Sequence, residues 1–535
     1  MTGFFRCLFF VILAMGALPF SSEAQTTFPL NGVADQREGL YAFTNATIFT
    51  AYNQRIDNAT LLIRKGKVEA VGQKVQIPSA AVVIDLAGKF IYPSFIDLYT
   101  DYGIPAARND GPAGGRMFGT PAQRISNKKG AYGWNEALKP EFRAHEVFVA
   151  DPKTAKQFRD IGFGNLLSHQ PDGISRGSSA LVTAGDDKEQ LAFVKKMVAH
   201  HLSFNKGSSR QDYPSSLMGS IALIRQTFYD AKWYQSAKDE VNLSLEAWNS
   251  LAGLPHIFEV NDRLDALRAA AIGREFNINF ILKGTGDEYQ RIQEIKSTGS
   301  PLILPLNFPE AYDVEDPLDA QRISLAQLKH WEMAPANPAT VAAAGIPFAI
   351  TTHGLRNKAD FMAQLRKAIQ YGLSETDALK ALTHTPAQLS GAQDLVGSLS
   401  AGKMASFFIS NGNIFGKDAK IYHHWINGKP HVIKDVNMPD FNGKYQLQVA
   451  GKSYDLSISG PDEQPELKIA TGDTTSVKVK FAYDKKMVSL SFALHDGANR
   501  YRLSGTATGN TWAGTGQDDT GQWISWSATR TDTTT

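Results

Sequence analysis

Apolar and polar positions follow two different periods along this chain, and the changes of period divide it. From Tyr41 to Gln73 the run "YAFTNATIFTAYNQRIDNATLLIRKGKVEAVGQ" alternates apolar and polar residues between turns at Asn53, Gly66 and Gly72, which predicts short strands. The stretch that follows, "AAVVIDLAGKFIYPSFIDLY", ends in an apolar run suited to a strand buried on both faces. From about Phe95 to Gln388, apolar runs alternate with stretches at helical spacing. "FGNLLSH", "PHIFEVN", "INFILKG", "SPLILPL" and "IPFAITTHG" read as strands; "RLDALRAAAIGREF" and "KADFMAQLRKAIQYG" read as amphipathic helices. Ser374 with Asp377 starts the helix that carries Leu379 and Leu382. Strand–helix alternation over this length predicts an α/β fold, a TIM-like (β/α)8 barrel over residues 95–388.

Strand periodicity then returns. Residues 389–438 carry "VGSLSAGKMASFFISNGNIF" and "AKIYHHWINGKPHVI", which are expected to complete a split small β-sandwich begun by residues 25–94. Residues 439–535 are rich in Gly, Ser and Thr and alternate cleanly at Tyr445, Leu447, Val449, at Tyr454, Leu456, Ile458, and at Val488, Leu490, Phe492, Leu494. They predict a separate C-terminal all-β module, a sandwich or a barrel. Trp512, Trp523 and Trp526 are read as filling its small core, with a sugar site as the alternative.

Composition adds three constraints. The 535 residues are 43% hydrophobic and 20% charged, ordinary for a globular protein of two or three domains. The net charge of +2 provides no electrostatic case for nucleic acid or an acidic membrane. "MTGFFRCLFFVILAMGALPFSSEAQ" has Arg6, an apolar run from Cys7 to Phe20 and small residues ending at Ala24. It reads as a signal peptide over residues 1–24, cleaved near Ala24, and the mature product is expected to be secreted or periplasmic. That apolar run is short for a bilayer span, and no later segment is apolar enough for one. Cys7 is the only cysteine, so after cleavage neither a disulfide nor thiol chemistry is expected.

Four stretches carry a resemblance. "NATIFT…LLIRKGKVEAVGQ", "IDLAGKFIYPSFIDLY", "LPHIFEVNDRLDAL…NINFILKGTGDEY" and "ALKALTHTPAQLSGAQDLVGSLSAGKMASFFI" together resemble the amidohydrolase superfamily, in particular its imidazolonepropionase-like members, over most of residues 40–435. The resemblance implies hydrolysis of non-peptide C–N bonds by a divalent metal, which lowers the pKa of its bound water toward ~7. It also implies an H-x-H pair on strand one, a lysine or glutamate on strand four, histidines on strands five and six, and an aspartate on strand eight. Here Tyr99 and Asp101 stand at the H-x-H positions, Glu259 at strand five, Lys283 at strand six and His353 at strand eight; the strand-four position is not placed. Ser406 stands where the family often has a structural aspartate.

As a set, these residues read as a salt-bridged polar plug. Lys283 would oppose a cation and pair with Asp101 and Glu259, and its removal is expected to leave the two carboxylates facing each other. No metal or other cofactor is expected on this reading. The rival reading is a rebuilt zinc site from Asp101, Glu259 and His353, with His169, His200 and His201 as further donors. "AHHLSF" equally suits the polar end of a helix. "NDGPAGGRMFGT" has no following Gly-Lys-Ser/Thr and reads as a loop over the mouth, not a phosphate loop. "GAYGWNEALKPE" and "PDGISRGSSALV" also read as loops, in which Trp134, Asn135 and Arg176 either pack a lid or face a ligand. The expected functions are a non-catalytic scaffold or partner of an active homologue, a hydrolase of amides or cyclic amides with a rebuilt site, or an exported protein that binds a small molecule or glycan.

Overall fold

The computed structural model describes residues 39–107, 123–434 apart from 238, and 441–532 apart from 461–464, 473–474, 485 and 496–498. The expected signal peptide and the stretch "NDGPAGGRMFGT" lie outside the described residues.

Two hydrogen-bonded ladders build a TIM-like barrel. One runs Phe95–Thr100, Phe163–Ser168, Ala180–Thr183 and Phe193–Lys195; the other runs Ser175–Ser178, His200–Ser203, His256–Glu259, Ile281–Lys283, Leu302–Pro305 and Phe348–Thr351. The five apolar runs read as strands from the sequence are all strands here. Their inward residues, Ile96, Leu98, Leu167, Leu181, Ile257, Ile281, Ile303 and Ala349, pack into one buried cluster. The outer face of the strands packs against helices that include Arg263–Glu275 and Phe361–Gln370. Asp262 caps the first of these, accepting from the backbone of Leu264 and Asp265 at 2.7 and 2.8 Å.

The ladders meet at two seams. At one, Asp97 on the first strand accepts from the Thr352 backbone N–H and hydroxyl, both at 2.8 Å, and the Thr351 hydroxyl donates to the Tyr99 carbonyl at 3.2 Å. At the other seam a single run, Ser175–Ser178 then Ala180–Thr183, serves both ladders, with Ser179 donating its N–H to Ala199 O at 2.9 Å.

That run corrects the sequence reading. "PDGISRGSSALV" is not a lid loop but the third barrel strand, antiparallel to both neighbours. The reason is length: only residues 169–174 separate it from the second strand, and a parallel return needs a crossover of roughly a dozen residues. "AHHLSF" is likewise not a helix end, because His200–Ser203 is the fourth strand, paired in parallel with His256–Glu259.

The N-terminal strands and the returning strands form one eight-stranded sheet. Phe407–Ser410 pairs antiparallel with Phe90–Pro93 and continues through Ile421–Ile426 to Lys429–Val432. The split sandwich expected from the sequence is thus, in hydrogen-bonding terms, a single composite sheet. Phe43, Phe407 and Trp425 interlock in its core. Ser94 and His424 link sheet to barrel: their side chains meet at 2.7 Å, and His424 Nδ1 lies 3.0 Å from Arg159 O.

The C-terminal module is a closed antiparallel barrel of eight strands from Gly443–Val449 to Trp523–Asp532, whose last strand pairs with its first. The alternating residues fill it, and so do Trp512 and Trp526, as the core reading expects. Trp526 Nε1 donates to Ser504 O at 3.0 Å. Trp523 departs from that reading and stands 75% exposed.

Candidate functional site at the barrel mouth

At the carboxyl end of the strands the inward positions change from aliphatic to polar. Strand alternation turns Arg176, His201, Glu259 and Lys283 into the barrel, next to Ile257 and Ile281 two positions earlier on their strands. The register between the first two strands is irregular from Asp97 to Thr100, and this brings Tyr99 inward as well.

Arg176 organises this layer. Its Nη1 donates to the Tyr99 hydroxyl at 2.7 Å, its Nη2 lies 2.8 Å from Glu259 Oε2, and its Nε donates to Gly173 O at 3.0 Å. Lys283 sits beside it, with Nζ 3.8 Å from Glu259 Oε1 and 5.5 Å from the Tyr99 ring centre. Glu259 and Lys283 are register partners on adjacent strands. His353 packs edge-on against Tyr99, and His169 lies on the ring's other contacts at 4.3 Å. His169 and His201 stack on each other at 4.0 Å with their planes 12° apart.

The electrostatics follow from burial. Desolvation would push the Glu259 carboxyl up, but the Arg176 and Lys283 charges outweigh it and hold the group below the usual range. Burial lowers the Lys283 ammonium, against the pull of Glu259. Burial, reinforced by neighbouring cations, holds His353 down at about 4 and drives His169 and His201 well below their ordinary value, so all three rings are neutral at pH 7.

The structure therefore places Tyr99, Glu259, Lys283 and His353 together. Asp101 lies at the edge of this group, near enough for its charge to act on His353 but not paired with Lys283. Asp101 follows the end of the first strand, is exposed, and makes no ion pair among the described residues; it lines a cavity of about 450 Å³ with Gln170, Asp172 and Ser208. The reason is local: the strand ends at Thr100, and the chain turns there, Ile104 N–H donating to Asp101 O at 3.0 Å. Arg176 takes the role the sequence assigned to Lys283 as the close counter-charge of Glu259. His201 occupies the inward position on the fourth strand that the sequence left unplaced. His200, its neighbour, points to the helix layer, with Nε2 2.9 Å from Ser175 Oγ and the ring against Trp248. Trp134 is exposed and stacks on Tyr213, and Asn135 is buried, bonding Tyr213 O and the Ala137 N–H; both belong to the loop packing, not to the site.

A divalent ion does not fit this donor set. The Glu259 carboxylate already faces two positive charges, Arg176 and Lys283. His169 and His201 cannot share an ion, because nearly parallel stacked rings aim their lone pairs side by side and a ligand nitrogen must point at the metal from ~2.0 Å. Among the described residues no group of three or more His, Cys, Asp or Glu side chains could hold a metal ion.

Comparison with known proteins bears on the fold and the class. Residues 331–433, which hold the last barrel strand, the helices after it and the returning sheet strands, match the model of the Amidohydrolase family. The crystal structure of an amidohydrolase from Thermotoga maritima MSB8 superposes with a TM-score of 0.58 at 23% identity, covering 73% of this chain and 99% of that one. A β-aspartyl dipeptidase from Fervidobacterium islandicum AW-1 gives 0.42 at 14% identity, covering 75% and 99%, a likeness too slight to weigh. No curated protein matches the chain. The family match is to the amidohydrolases over residues 331–433, and the superposition shows a shared fold. No helix among the described residues is long and apolar enough to cross a membrane.

Proposed function

We propose that this chain is an exported protein of the amidohydrolase superfamily, similar to its imidazolonepropionase-like members, in which a salt-bridged plug stands in place of the metal centre. It acts as a non-catalytic scaffold or as the partner of an active homologue. One observation carries the reading: Arg176, 3% exposed, bridges the Tyr99 hydroxyl and the Glu259 carboxylate at the positions where the family resemblance places strand-one and strand-five metal ligands. A guanidinium held there supplies the positive charge a metal would bring, without an exchangeable water to activate. Export rests on the composition of residues 1–24. The test is metal content and hydrolysis together. The purified protein should retain no stoichiometric zinc through dialysis and should hydrolyse neither N-acyl amino acids nor cyclic amides. Near-stoichiometric zinc with turnover would overturn the reading.

A second reading, a hydrolase of amides or cyclic amides, is favoured by a different observation. Both ring nitrogens of His169 and of His201 are buried with no hydrogen-bond partner among the described residues. Buried polar groups are nearly always paired, so these four atoms are unspent donors and acceptors for a ligand or water. Turnover of an amide or cyclic amide that is abolished by His201→Ala would support this reading over the first.

A further inference from the structure

The amine of Lys283 is held in an unusual state for a protein lysine. It projects from the end of the sixth barrel strand, and its residue is only 5% exposed. No hydrogen-bond acceptor lies within reach of Nζ among the described residues; the nearest carboxylate oxygen, Glu259 Oε1, is 3.8 Å away, beyond hydrogen-bond range. Glu259 spends its other oxygen on Arg176 at 2.8 Å. No carboxylate therefore closes on this ammonium as Glu259 does on Arg176, and burial lowers the amine's affinity for protons. A structural counter-ion would be expected to close on its carboxylate, as Arg176 does. Around it stand the Tyr99 ring, the neutral His353 with Nδ1 unpartnered, and the half-open Glu259, whose side chain is 23% exposed.

We infer that Lys283 is a nucleophilic lysine that captures a small aldehyde or ketone at the barrel mouth as a reversible imine. This rests on the metal-free reading of the mouth, because a metal there would hold Glu259. Each step balances without any added oxidant or reductant. Glu259 takes one proton from the ammonium; the freed nitrogen lone pair forms the C–N bond while the carbonyl π pair moves to oxygen. A proton passes from this nitrogen to the new alkoxide, giving the carbinolamine; its hydroxyl then leaves as water with the proton returned by Glu259, and the nitrogen lone pair forms the C=N bond of a protonated imine. The Arg176 guanidinium cannot substitute, since it stays protonated.

The experiment is reductive trapping with the full chain at pH 7. Pyruvate or glycolaldehyde is added with cyanoborohydride, and modified lysines are located by peptide mass spectrometry. Lys283 should be modified faster than the exposed lysines by about tenfold or more, because those remain almost fully protonated at this pH. The preference should vanish in denaturant and should fall in Glu259→Gln. Lys283 modified no faster than surface lysines, in a protein whose circular dichroism shows it folded, would overturn the inference. Running the reaction with and without a chelator separates the two readings. Modification that appears only after chelation sinks the metal-free mouth and leaves the imine standing; no preference in either condition sinks the imine alone.

Discussion

Arg176 reaches Glu259 at 2.8 Å across the barrel mouth from a strand that runs against both of its neighbours. The pair, more than any contact of Lys283, holds the buried carboxylate in its ionised form. Arg176→Met should therefore cost about 3–5 kcal/mol, the usual penalty for stripping the partner from a buried charge. Lys283→Met should stay within about 1 kcal/mol of the parent, since its contact is longer and Glu259 keeps Arg176. Urea unfolding of the two variants checks the order. If the lysine variant is the less stable, Lys283 is the main counter-ion, as the sequence alone suggested.

Asp97 is fully buried and accepts from three donors, the Tyr99 and Thr352 N–H groups and the Thr352 hydroxyl. It ties the first strand to the last across a seam without ladder pairing. Asp97→Ala leaves two backbone N–H groups without acceptors and should lower stability by about 2–5 kcal/mol. A thermal midpoint equal to the parent's would show that the seam is held by packing instead.

Acid should weaken the fold well above the carboxylate range. Burial lowers His256 and His353 to about 4 and His424 to about 3, and holds His169, His200 and His201 well below their ordinary value. An unfolded histidine takes up its proton near 6.5, so below that pH the unfolded state binds more protons and stability falls with pH. The window runs from about 6.5 down through 4, and each such histidine contributes up to about 1.4 kcal/mol per pH unit within it. Unfolding free energies equal at pH 7.5 and 5 would refute this.

Residues 441–532 close their own barrel around their own core, so that segment expressed alone should unfold in one cooperative transition. Within it, Trp512→Ala should cost about 3–5 kcal/mol and Trp523→Ala almost nothing, since the first ring is buried and the second stands in solvent. A non-cooperative melt of the isolated segment would mean that its fold depends on the rest of the chain.

The strands legible in the sequence were those buried on both faces, where most positions are apolar: "FGNLLS", "LILP" and "FAIT" need no partner information to be seen. The helices were legible through their periodic faces and caps. What hid was the third strand. Its Ser175, Arg176, Gly177 and Ser178 are polar or small, and their burial depends on partners elsewhere: His200 for Ser175, Glu259 and Tyr99 for Arg176. Gly177 has φ of +68°, and a Cβ there would lie 2.1 Å from Phe142 O, so this strand needs the residue that most suggests a loop. Hydrophobic period cannot report a buried polar network. The family frame located Glu259, Lys283 and His353, but carried no position for an arginine on strand three and so set Arg176 aside in a lid.

The composite sheet also governs the order in which this protein can mature. Ser94 meets His424 across 330 positions of chain, and the strand beside Ser94 pairs with Phe407–Ser410 over a similar span. Closing so long a loop is entropically costly, and folding of the barrel between these strands brings the sheet's two halves within reach of each other. A chain that ends anywhere before Phe407 leaves Phe90–Pro93 with an open edge, free to pair with another molecule. The sheet thereby reports that everything between its halves has folded, and an unfinished barrel exposes itself as an adhesive strand.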